Sequence, residues 1–300
     1  MTLEIMMPFY GRPDHFRIAV ESVLAQTSPD WRLTVVDDVY PDLEPGTWVS
    51  ALKDKRITYV RNEKNLGPSL NFNRCLELSE EAYVTFIGCD DVLLPNYVGE
   101  ILRMTTAFPQ ATILQPGVRT IDQNGQPSRG PAEIVKSLLR PLKNGHGTLS
   151  GERLARSLLR GNWAYFPSLA WRTQDLRELG FRSEFNVVQD LMLILDLVEL
   201  GHEFAISSEP AFLYRRHMSS YSAITGTNGS KFREESHLYA EISRRLSEKS
   251  WNSAARSARF HLISRLEALS LLPSAIMNGD RQGRSDMMRH IFGRPFRDLR

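Results

Sequence analysis

Two pairs of adjacent aspartates, Asp37-Asp38 and Asp90-Asp91, are the residues whose type and spacing best fit chemistry. Each pair directly follows a short apolar run that reads as a strand. Two carboxylate pairs at one sheet edge repel each other unless a positive or hydrogen-bonding group lies between them. A divalent cation that carries a diphosphate would meet that need, and hard oxygen ligands suit Mg²⁺ or Mn²⁺. The alternative is that each pair only caps a loop or a helix N-terminus.

Asp190 and His217 are further candidates. Asp190 opens a predicted helix, where the helix dipole keeps a carboxylate ionised and able to accept a proton from an attacking hydroxyl. The alternative for Asp190 is an N-terminal helix charge without a chemical role. His217 follows an apolar strand and stands beside Arg215 and Arg216, which favours a phosphate-facing position over that of an ordinary loop histidine. Trp163 follows Gly161-Asn162 and is a candidate stacking platform, with a core position as the alternative.

The elements that must position these residues alternate between strand and helix. This β-α-β pattern predicts a mostly parallel sheet covered by helices, and ligands bind outside the carboxyl ends of such strands. The predicted strands cover about 3–7, 33–36, 57–60, 83–87, 168–171 and 211–216, and the predicted helices about 13–26, 70–78, 95–108, 152–159 and 188–200.

Two other stretches break this alternation. Residues 117–147 are rich in Gly, Pro and polar residues and are predicted to form a long, mobile loop. From about residue 231 the pattern becomes helical only, with one apolar stripe at Leu238, Ile242 and Leu246 and another at 260–269. A boundary is therefore predicted near 226–229.

Composition narrows the class of protein. Hydrophobic residues make up 42% and charged residues 24%, as in ordinary globular proteins, and a net charge of +2 gives no indication of nucleic-acid binding. Two cysteines without metal-ligand spacing argue against a zinc site or a disulfide framework, so a cytoplasmic location is expected. Neither a secretory signal nor an apolar stretch of about 20 residues is recognisable. Phosphate-loop, dinucleotide-turn, zinc-protease and nucleophile-elbow motifs are absent as well.

The C-terminus is rich in arginine. Residues 281–300 interleave six arginines with Met287, Met288, Ile291 and Phe292. This pattern predicts a basic amphipathic helix in peripheral contact with anionic lipid at the inner membrane face. A solvated terminal helix packed on the domain is the alternative.

An ordered set of short motifs gives the chain a resemblance. Over about residues 1–225 it resembles family 2 glycosyltransferases of the GT-A fold, with the motifs in that family's order. These motifs are Met7-Pro-Phe-Tyr10, Val35-Val-Asp-Asp38, Asn65-Leu-Gly67 with Asn73, Gly88-Cys-Asp-Asp91 with Pro95, Gly180-Phe181, Gln189-Asp190 and Tyr214-Arg-Arg-His217.

The resemblance implies a GT-A-type, mostly parallel twisted sheet flanked by helices, followed by a helical C-terminal extension. It implies a nucleotide-sugar-binding half at 1–110, an acceptor-binding and catalytic half at 111–226, and a helical region at 227–300. The implied reaction is inverting transfer from a UDP-, GDP- or dTDP-sugar to a glycan or lipid-linked acceptor, with Mn²⁺ or Mg²⁺ as cofactor.

Site roles follow from the same resemblance. Asp190 would be the general base, and Asp90, Asp91 and His217 would bind the metal. The nucleotide sugar would be contacted by Pro8, Tyr10, Asp37, Asp38, Asn65, Gly67, Asp90 and Arg215, with Arg215 and His217 near the diphosphate.

Two positions depart from the family pattern. Gly88 stands where the family often has the first Asp of Asp-x-Asp-Asp, which leaves the strength of metal dependence open. Gln189 replaces a common Glu before Asp190. Two other functions stay open at this point: a sugar nucleotidyltransferase, although Phe9 to Pro13 is a poor match to its Gly-rich basic loop, and a non-catalytic nucleotide-sugar-binding protein.

Overall fold

The computed structural model describes residues 1–142, 145–217, 221–277 and 281–293. Within these ranges, nine strands form a single sheet with the order β3-β2-β1-β4-β8-β6-β9-β5, and β7 also pairs with β9. The strands are β1 (Leu3–Phe9), β2 (Trp31–Asp37), β3 (Ile57–Arg61), β4 (Tyr83–Phe86), β5 (Val92–Leu93), β6 (Ala111–Ile121), β7 (Gly147–Leu149), β8 (Ala170–Arg172) and β9 (Glu203–Arg215).

Helices cover the sheet and then continue without further strands. The helices are α1 (Pro13–Leu24), α2 (Glu44–Ala51), α3 (Pro68–Leu78), α4 (Tyr97–Ala107), α5 (Pro131–Leu139), α6 (Gly151–Arg160), α7 (Thr173–Leu179), α8 (Gln189–Glu199), α9 (Tyr221–Thr227), α10 (Ser230–Glu248), α11 (Asn252–Phe260), α12 (Leu262–Met277) and α13 (Arg281–Phe292).

The first half of the sheet is parallel and sets the position of the candidate site. Strands β2 and β4 both pair in parallel with β1, and β3 pairs in parallel with β2. Phe9 at the end of β1 lies opposite Asp37 at the end of β2. Because parallel strands end at one edge, the segments that follow β1, β2 and β4 meet there.

The second half of the sheet is mixed. Strand β8 runs antiparallel to β4 and β6, whereas β6 and β9 form a long parallel pair with register shifts. Strand β9 brings Arg215 back to the edge where β4 ends, because β5, which follows Asp91 directly, pairs with Leu213 and Phe212.

Two apolar layers hold the sheet between helices. On one face, Phe16 and Val20 of α1 and Ile101 of α4 are fully buried against β1 and β2. On the other face, α8 is buried almost all round, which fits its run of apolar residues from Leu191 to Val198. Leu238, Ile242 and Leu246 of α10 join this second layer, so the first predicted C-terminal stripe is confirmed as core.

The long loop predicted for residues 117–147 is wrong in part. Strand β6 continues to Ile121, α5 occupies 131–139, and β7 begins at Gly147. Helix α5 starts with Pro131 at its first turn and a capping box in which Glu133 accepts the Gly130 N–H. Its apolar residues Ile134 and Leu138 are exposed. The helix therefore has no buried apolar face by which its sequence could be recognised.

The second C-terminal stripe, at 260–269, is not a single buried face. Helix α11 ends at Phe260, and His261 adopts a positive φ before α12 begins. Phe260, Leu266 and Leu269 are all about half exposed. The stripe is therefore split between two helices and faces outward.

Candidate active site

The Asp37-Asp38 pair is saturated with hydrogen bonds from the protein. Asp37 accepts from the Tyr40 N–H at 2.7 Å, from the Tyr59 hydroxyl and from Arg61, with which it forms an ion pair. Asp38 accepts from three donors that all lie in residues 62–67. Both side chains are almost fully buried. The pair therefore fixes backbone at the end of β2, and its contact with a base or ribose stays a prediction.

The Asn65–Gly67 loop takes its shape from Asp38. Its carboxylate accepts the N–H groups of Leu66 and Gly67 at 2.7 and 2.9 Å, and its carbonyl accepts the Asn65 amide at 2.8 Å. Gly67 has a φ of +77°, a conformation that a side chain would strain, and α3 starts immediately after it. The loop thus lies at the edge beside β2, and its role as a wall of a nucleotide pocket stays a prediction.

Pro8 and Tyr10 lie at the end of β1, next to the end of β2. Pro8 is the residue before the end of β1, and Tyr10 extends beyond it with 56% of its surface exposed. The Tyr10 ring meets the Tyr40 ring edge-on at 5.8 Å, and the Tyr40 N–H is bound by Asp37. An exposed aromatic ring held at its edge is suited to stack on a nucleobase.

The Asp90-Asp91 pair is arranged differently. Asp91 is buried and accepts the Arg215 N–H at 2.9 Å, while Asp90 is partly exposed and lies 2.7 Å from His217 Nε2. Burial raises the pKa of Asp91 well above its usual value, and the charge of Asp90 raises it further. The charges of Arg215 and Arg216 act in the opposite direction but do not outweigh burial. Gly88, Asp90, Asp91, Arg215 and His217 are called the strand-end site below.

Gly88 makes the fold of this turn possible. A Cβ atom built on Gly88 would lie 2.7 Å from Asp91 Oδ2 and 2.8 Å from Asp90 Oδ1. Both carboxylates therefore fold back over the space that a side chain at position 88 would need. The missing first aspartate of the family pattern is thus linked to the position of the two that remain.

Arg215 is committed to the protein backbone. It is 4% exposed, and its guanidinium donates to the carbonyl oxygens of Asp90 at 2.6 Å, Asp122 at 3.2 Å and Gln123 at 3.4 Å. These bonds tie the turn after β4 to the turn after β6. The predicted contact of Arg215 with a diphosphate stays a prediction.

His15 is a neighbour of the site that the sequence did not indicate. Its ring meets the His217 ring edge-on at 5.5 Å, and its Nε2 lies 3.3 Å from the Gln123 carbonyl oxygen. Its Nδ1 is buried, and no group in the described part of the chain bonds to it. Burial lowers the pKa of His15, and the charge of Arg215 acts in the same direction, which favours the neutral imidazole. This ring packs against the ring of His217.

The strand-end site fits a divalent cation on its ligand chemistry. No group of three or more metal-ligating side chains lies together in the described residues, so the protein would supply few ligands. Asp90 and His217 already converge, and carboxylate oxygens are ligands that suit Mn²⁺. The raised pKa of Asp91 indicates that added positive charge would be favourable here. Diphosphate oxygens and water would complete such a site.

Asp190 lies in the first turn of α8, as predicted. Burial raises its pKa, while the Leu191 N–H and the charge of Lys136 act in the opposite direction. The preceding Gln189 is buried and accepts the Ser69 hydroxyl, which links α8 to α3. A glutamate at position 189 would place a charge in this buried contact, which gives a physical reason for the amide.

Two of the sequence motifs meet in space and hold the approach to α8. The Asn73 amide donates to the Phe181 carbonyl and accepts the Phe181 N–H, both at 2.7 Å. Gly180 has a φ of +66°, and a Cβ built there would lie 3.3 Å from Asn73 Oδ1. The Asn73 and Gly180-Phe181 motifs are therefore one structural clamp between α3 and the segment leading to Asp190.

A sequence profile described as glycosyl transferase family 2 matches residues 4–172, more than half of the chain. The chain belongs to glycosyltransferase family 2. It is a transferase enzyme, as the resemblance implied.

Relatives and solved structures agree with this membership. WcaA of Escherichia coli K12, which carries the name of a colanic acid biosynthesis glycosyl transferase, is 27% identical over 72% of this chain and 73% of its own length. ExoO of Rhizobium meliloti, a succinoglycan biosynthesis protein, is 23% identical over 72% of this chain and 61% of its own. TarS 1–349 from S. aureus in complex with UDP-GlcNAc superposes with a TM-score of 0.63 at 14% identity, over 99% of this chain and 93% of TarS 1–349. The likeness to TarS confirms the GT-A-type fold.

Beside α5, this glycosyltransferase contains a cavity of about 400 Å³, called the α5 pocket below. Trp163 lines it but is 1% exposed and packs on Phe204, so it is a core residue, and the interpretation as a stacking platform is not supported. Tyr165 is the more accessible ring in the pocket. The lining residues are Val118, Arg119, Thr120, Pro127, Ser128, Arg129, Glu133, Lys136, Ser137, Arg140, Trp163 and Tyr165.

A second cavity of about 1070 Å³ lies among α10, α11 and α13 of the glycosyltransferase. It contains none of the predicted site residues. Its volume is larger than that of the α5 pocket, but its lining comes only from the helical region between Arg233 and Gly293.

The helix predicted from residue 281 is present as α13 over Arg281–Phe292, and its contact with lipid stays a prediction. In α13, Met287 is fully buried, whereas Met288 and Phe292 are exposed; residues 294–300, with three of the six arginines, lie outside the described residues. None of the described helices has the length and apolar character that a bilayer crossing requires.

Proposed function

We propose that this enzyme transfers a sugar from a nucleoside-diphosphate sugar to an acceptor hydroxyl, with inversion at the anomeric carbon and with help from a divalent cation. The observation that carries the proposal is the incompletely neutralised Asp90-Asp91 pair facing His217 at the strand ends. Asp190 is a separate carboxylate on another element, available as a single base. A site that stabilises charge on the leaving group, together with one general base, suits a reaction in which the acceptor displaces the nucleoside diphosphate in a single step.

A UDP-sugar is the first donor to test, followed by GDP- and dTDP-sugars. TarS, which has the same fold, was solved with UDP-GlcNAc and with UDP. WcaA and ExoO carry names from colanic acid and succinoglycan biosynthesis, which supports a role in polysaccharide assembly on a glycan or lipid-linked acceptor.

Asp90 and His217 are the residues that would hold Mn²⁺ or Mg²⁺, with Asp91 behind them. A bound cation would stabilise the negative charge that develops on the leaving diphosphate. The Asn65–Gly67 loop and the exposed Tyr10 ring would hold the nucleotide in place at the same edge. Arg215 would keep the turn carrying Asp90 in position through its bond to the Asp90 carbonyl.

Asp190 acts on the acceptor. As the acceptor oxygen bonds to the anomeric carbon, its proton passes to the Asp190 carboxylate. The bond between that carbon and the diphosphate oxygen breaks, and the nucleoside diphosphate leaves with the electron pair. Burial raises the pKa of Asp190, which brings its basicity closer to the working pH than that of an exposed aspartate.

The test combines donor binding with the Asp190→Asn variant. Wild type is expected to show a thermal shift with UDP and Mn²⁺ and slow release of UDP from a UDP-sugar. Asp190→Asn should lower transfer by about 10²–10⁴-fold while UDP binding changes little. Asp30→Asn, at an exposed position after α1, is the matched control. Near-native transfer by folded Asp190→Asn would refute the base assignment, and no response to any nucleoside diphosphate would refute the donor class.

We also propose a cytoplasmic location with peripheral contact at the inner membrane face, through α12 rather than through residues 281–300 alone. Leu262, Leu266 and Leu269 have 47–63% of their surfaces exposed and recur at the spacing of one helix face. Arg256 and Arg259 of α11 and Arg281 and Arg289 of α13 are exposed on the helices before and after α12, whereas Glu267 is the exposed acid of α12 itself. An apolar stripe with basic neighbours suits an anionic bilayer surface.

Liposome sedimentation tests this contact. Sedimentation with vesicles containing anionic lipid should fall when Leu262, Leu266 and Leu269 are changed together to serine. A triple change of Leu43, Leu70 and Leu200, which are exposed elsewhere, is the control. Equal sedimentation of both triple variants would contradict the contact.

A further inference from the structure

We propose that the α5 pocket is an acceptor subsite that selects a glycan carrying a repeated anionic group, either a carboxylate or a phosphodiester. The inference rests on the proposed glycosyl transfer, and it names the chemical class of the acceptor. It is carried by the charge and layout of the pocket wall, which the family membership does not specify.

The wall of the α5 pocket is strongly basic. Four of its residues, Arg119, Arg129, Lys136 and Arg140, are cations, and Glu133 is the acid among the lining residues. The pocket therefore presents more positive than negative charge in a concave volume of about 400 Å³, which lies within the usual range for ligand sites.

The single carboxylate does not neutralise this wall. Glu133 is mostly buried, and one of its oxygens accepts from Arg216 Nε at 2.8 Å. Its other oxygen accepts the Gly130 N–H at 3.0 Å at the start of α5. Both oxygens are thus committed to partners outside the four pocket cations.

Arg119 and Arg129 are the cations free to meet a ligand. Both are exposed, and within the described ranges neither guanidinium group takes part in a hydrogen bond or an ion pair. Arg140 is different, because it donates to the Ser207 carbonyl at 2.8 Å. A guanidinium without a partner has its full fork of N–H donors available for a carboxylate or a phosphate.

Lys136 forms the inner end of the pocket. Its Nζ donates to the Ala164 carbonyl at 2.7 Å and lies 4.1 Å from the centre of the Tyr165 ring. Burial, together with the charge of Arg216, lowers the pKa of Lys136 to about 7. An anion bound beside it would restore a fully charged ammonium, so ligand charge and pocket charge are matched.

The pocket adjoins the proposed reaction centre. The Tyr165 ring lies 5.2 Å from the Tyr214 ring, and Tyr214 directly precedes Arg215 of the strand-end site. Lys136 also acts electrostatically on Asp190, the proposed base. A glycan held in the pocket by its anionic group would therefore extend toward Asp190 with its hydroxyls.

The experiment measures binding of defined oligosaccharide probes to the full chain in the presence of UDP and Mn²⁺. The probes are an oligogalacturonate, which carries carboxylates, a glycerol-phosphate oligomer, which carries phosphodiesters, and a neutral malto-oligosaccharide of similar length. At least one anionic probe should bind about tenfold more tightly than the neutral probe at low salt, and the preference should shrink as salt rises. The better of the two anionic probes identifies the source of the charge.

Two matched double variants locate the binding. Arg119→Gln/Arg129→Gln should weaken the preferred anionic probe by about tenfold, because two unpaired guanidinium groups are lost. Arg153→Gln/Arg156→Gln, which removes the same charge from exposed positions on α6, should leave that affinity within about twofold of wild type. All three proteins are compared for the dissociation constant of UDP as well.

Three outcomes would overturn the inference: equal binding of neutral and anionic probes by wild type, an equal loss in both double variants, or a loss of UDP affinity in Arg119→Gln/Arg129→Gln that exceeds the loss for the anionic probe. The last outcome would place the pocket on the donor side. Failure of the proposed function itself is distinguishable, because it would appear as absent UDP binding and UDP-sugar turnover in the wild-type protein.

Discussion

The two Asp-Asp pairs of this chain are alike in sequence and opposite in environment. Both follow strands that flank β1, one after β2 and one after β4. The carboxylates of Asp37 and Asp38 accept six hydrogen bonds, all from residues 40–67 of the protein itself. Within the described part of the chain, those of Asp90 and Asp91 meet one backbone N–H and one histidine ring.

The difference shows how one dipeptide serves two purposes. A carboxylate with all its acceptor sites filled by the protein holds a loop and has little left for a ligand. A pair with unfilled sites, in which Asp91 has a raised pKa, keeps a free-energy cost that a cation or a cationic complex can remove. The first pair is therefore built for position and the second for binding.

Replacing Asp90 should give the largest effect on activity. Asp90→Asn is expected to reduce sugar transfer by about 10²–10³-fold, because a charge at the leaving group's stabilising centre is lost. The unfolding midpoint should move little, since Asp90 is partly exposed. Steady-state kinetics and chemical denaturation measure the two quantities on one preparation. If Asp90→Asn transfers sugar at near the wild-type rate, the Asp90-Asp91 pair is not the charge-stabilising centre of the reaction.

Replacing Asp38 should give the largest effect on stability. Asp38→Asn retains the shape but turns an amide group toward one of the N–H groups of Leu66 or Gly67, which costs about 2 kcal/mol in the free energy of unfolding. Asp42→Asn, which alters one exposed turn contact, is the control. A free energy of unfolding for Asp38→Asn that matches this control would contradict the structural role of the first pair.

Changing Gly88 tests the fold-back of the second pair. In Gly88→Ala the new methyl group must push aside the carboxylates of Asp90 and Asp91, which are flexible enough to move. Stability should fall by about 1 kcal/mol or less, while the affinity for UDP with Mn²⁺ drops by about tenfold. Gly99→Ala in α4, where a Cβ has open space, should leave both unchanged or stabilise the helix slightly. Unaltered UDP affinity in Gly88→Ala would argue against the arrangement.

The smallest predicted effect is a pH-dependent gain on replacing Asp91. Because the folded-state pKa of Asp91 is raised, its ionisation costs stability as the pH rises through that pKa. Asp91→Asn cannot ionise and still offers an oxygen to the Arg215 N–H, so it should melt above wild type at pH 8. The difference should shrink as the pH falls toward the range where the folded protein already holds the proton. If Asp91→Asn is less stable than wild type at every pH, Asp91 has a structural role like that of Asp38, which contradicts the prediction.

Much of the site was predictable because it follows from strand order. Asp37-Asp38 and Asp90-Asp91 each come after a β-rich run, and parallel strands bring such ends together. Asp190 was placed correctly in the first turn of α8 for a similar local reason, since the apolar run that follows it marks the helix.

What the sequence did not indicate depends on long-range packing. His15 lies 5.5 Å from His217 only because α1 and the end of β9 meet at the sheet edge. Lys136 and Tyr165 come together because α5 packs back toward Tyr165. The sequence of this stretch did not predict α5, because it is rich in Gly and Pro and the apolar residues of the helix are exposed. Likewise, no local pattern shows that the guanidinium of Arg215 is bound by three carbonyl oxygens.

The most direct test of the contrast between the two pairs is a calorimetric titration of UDP into wild type and Asp90→Asn, each with and without Mn²⁺. The account predicts that Mn²⁺ tightens UDP binding about tenfold or more in wild type and has little effect in Asp90→Asn. An equal effect of Mn²⁺ on both proteins would contradict the assignment of Asp90 and His217 to the cation and diphosphate.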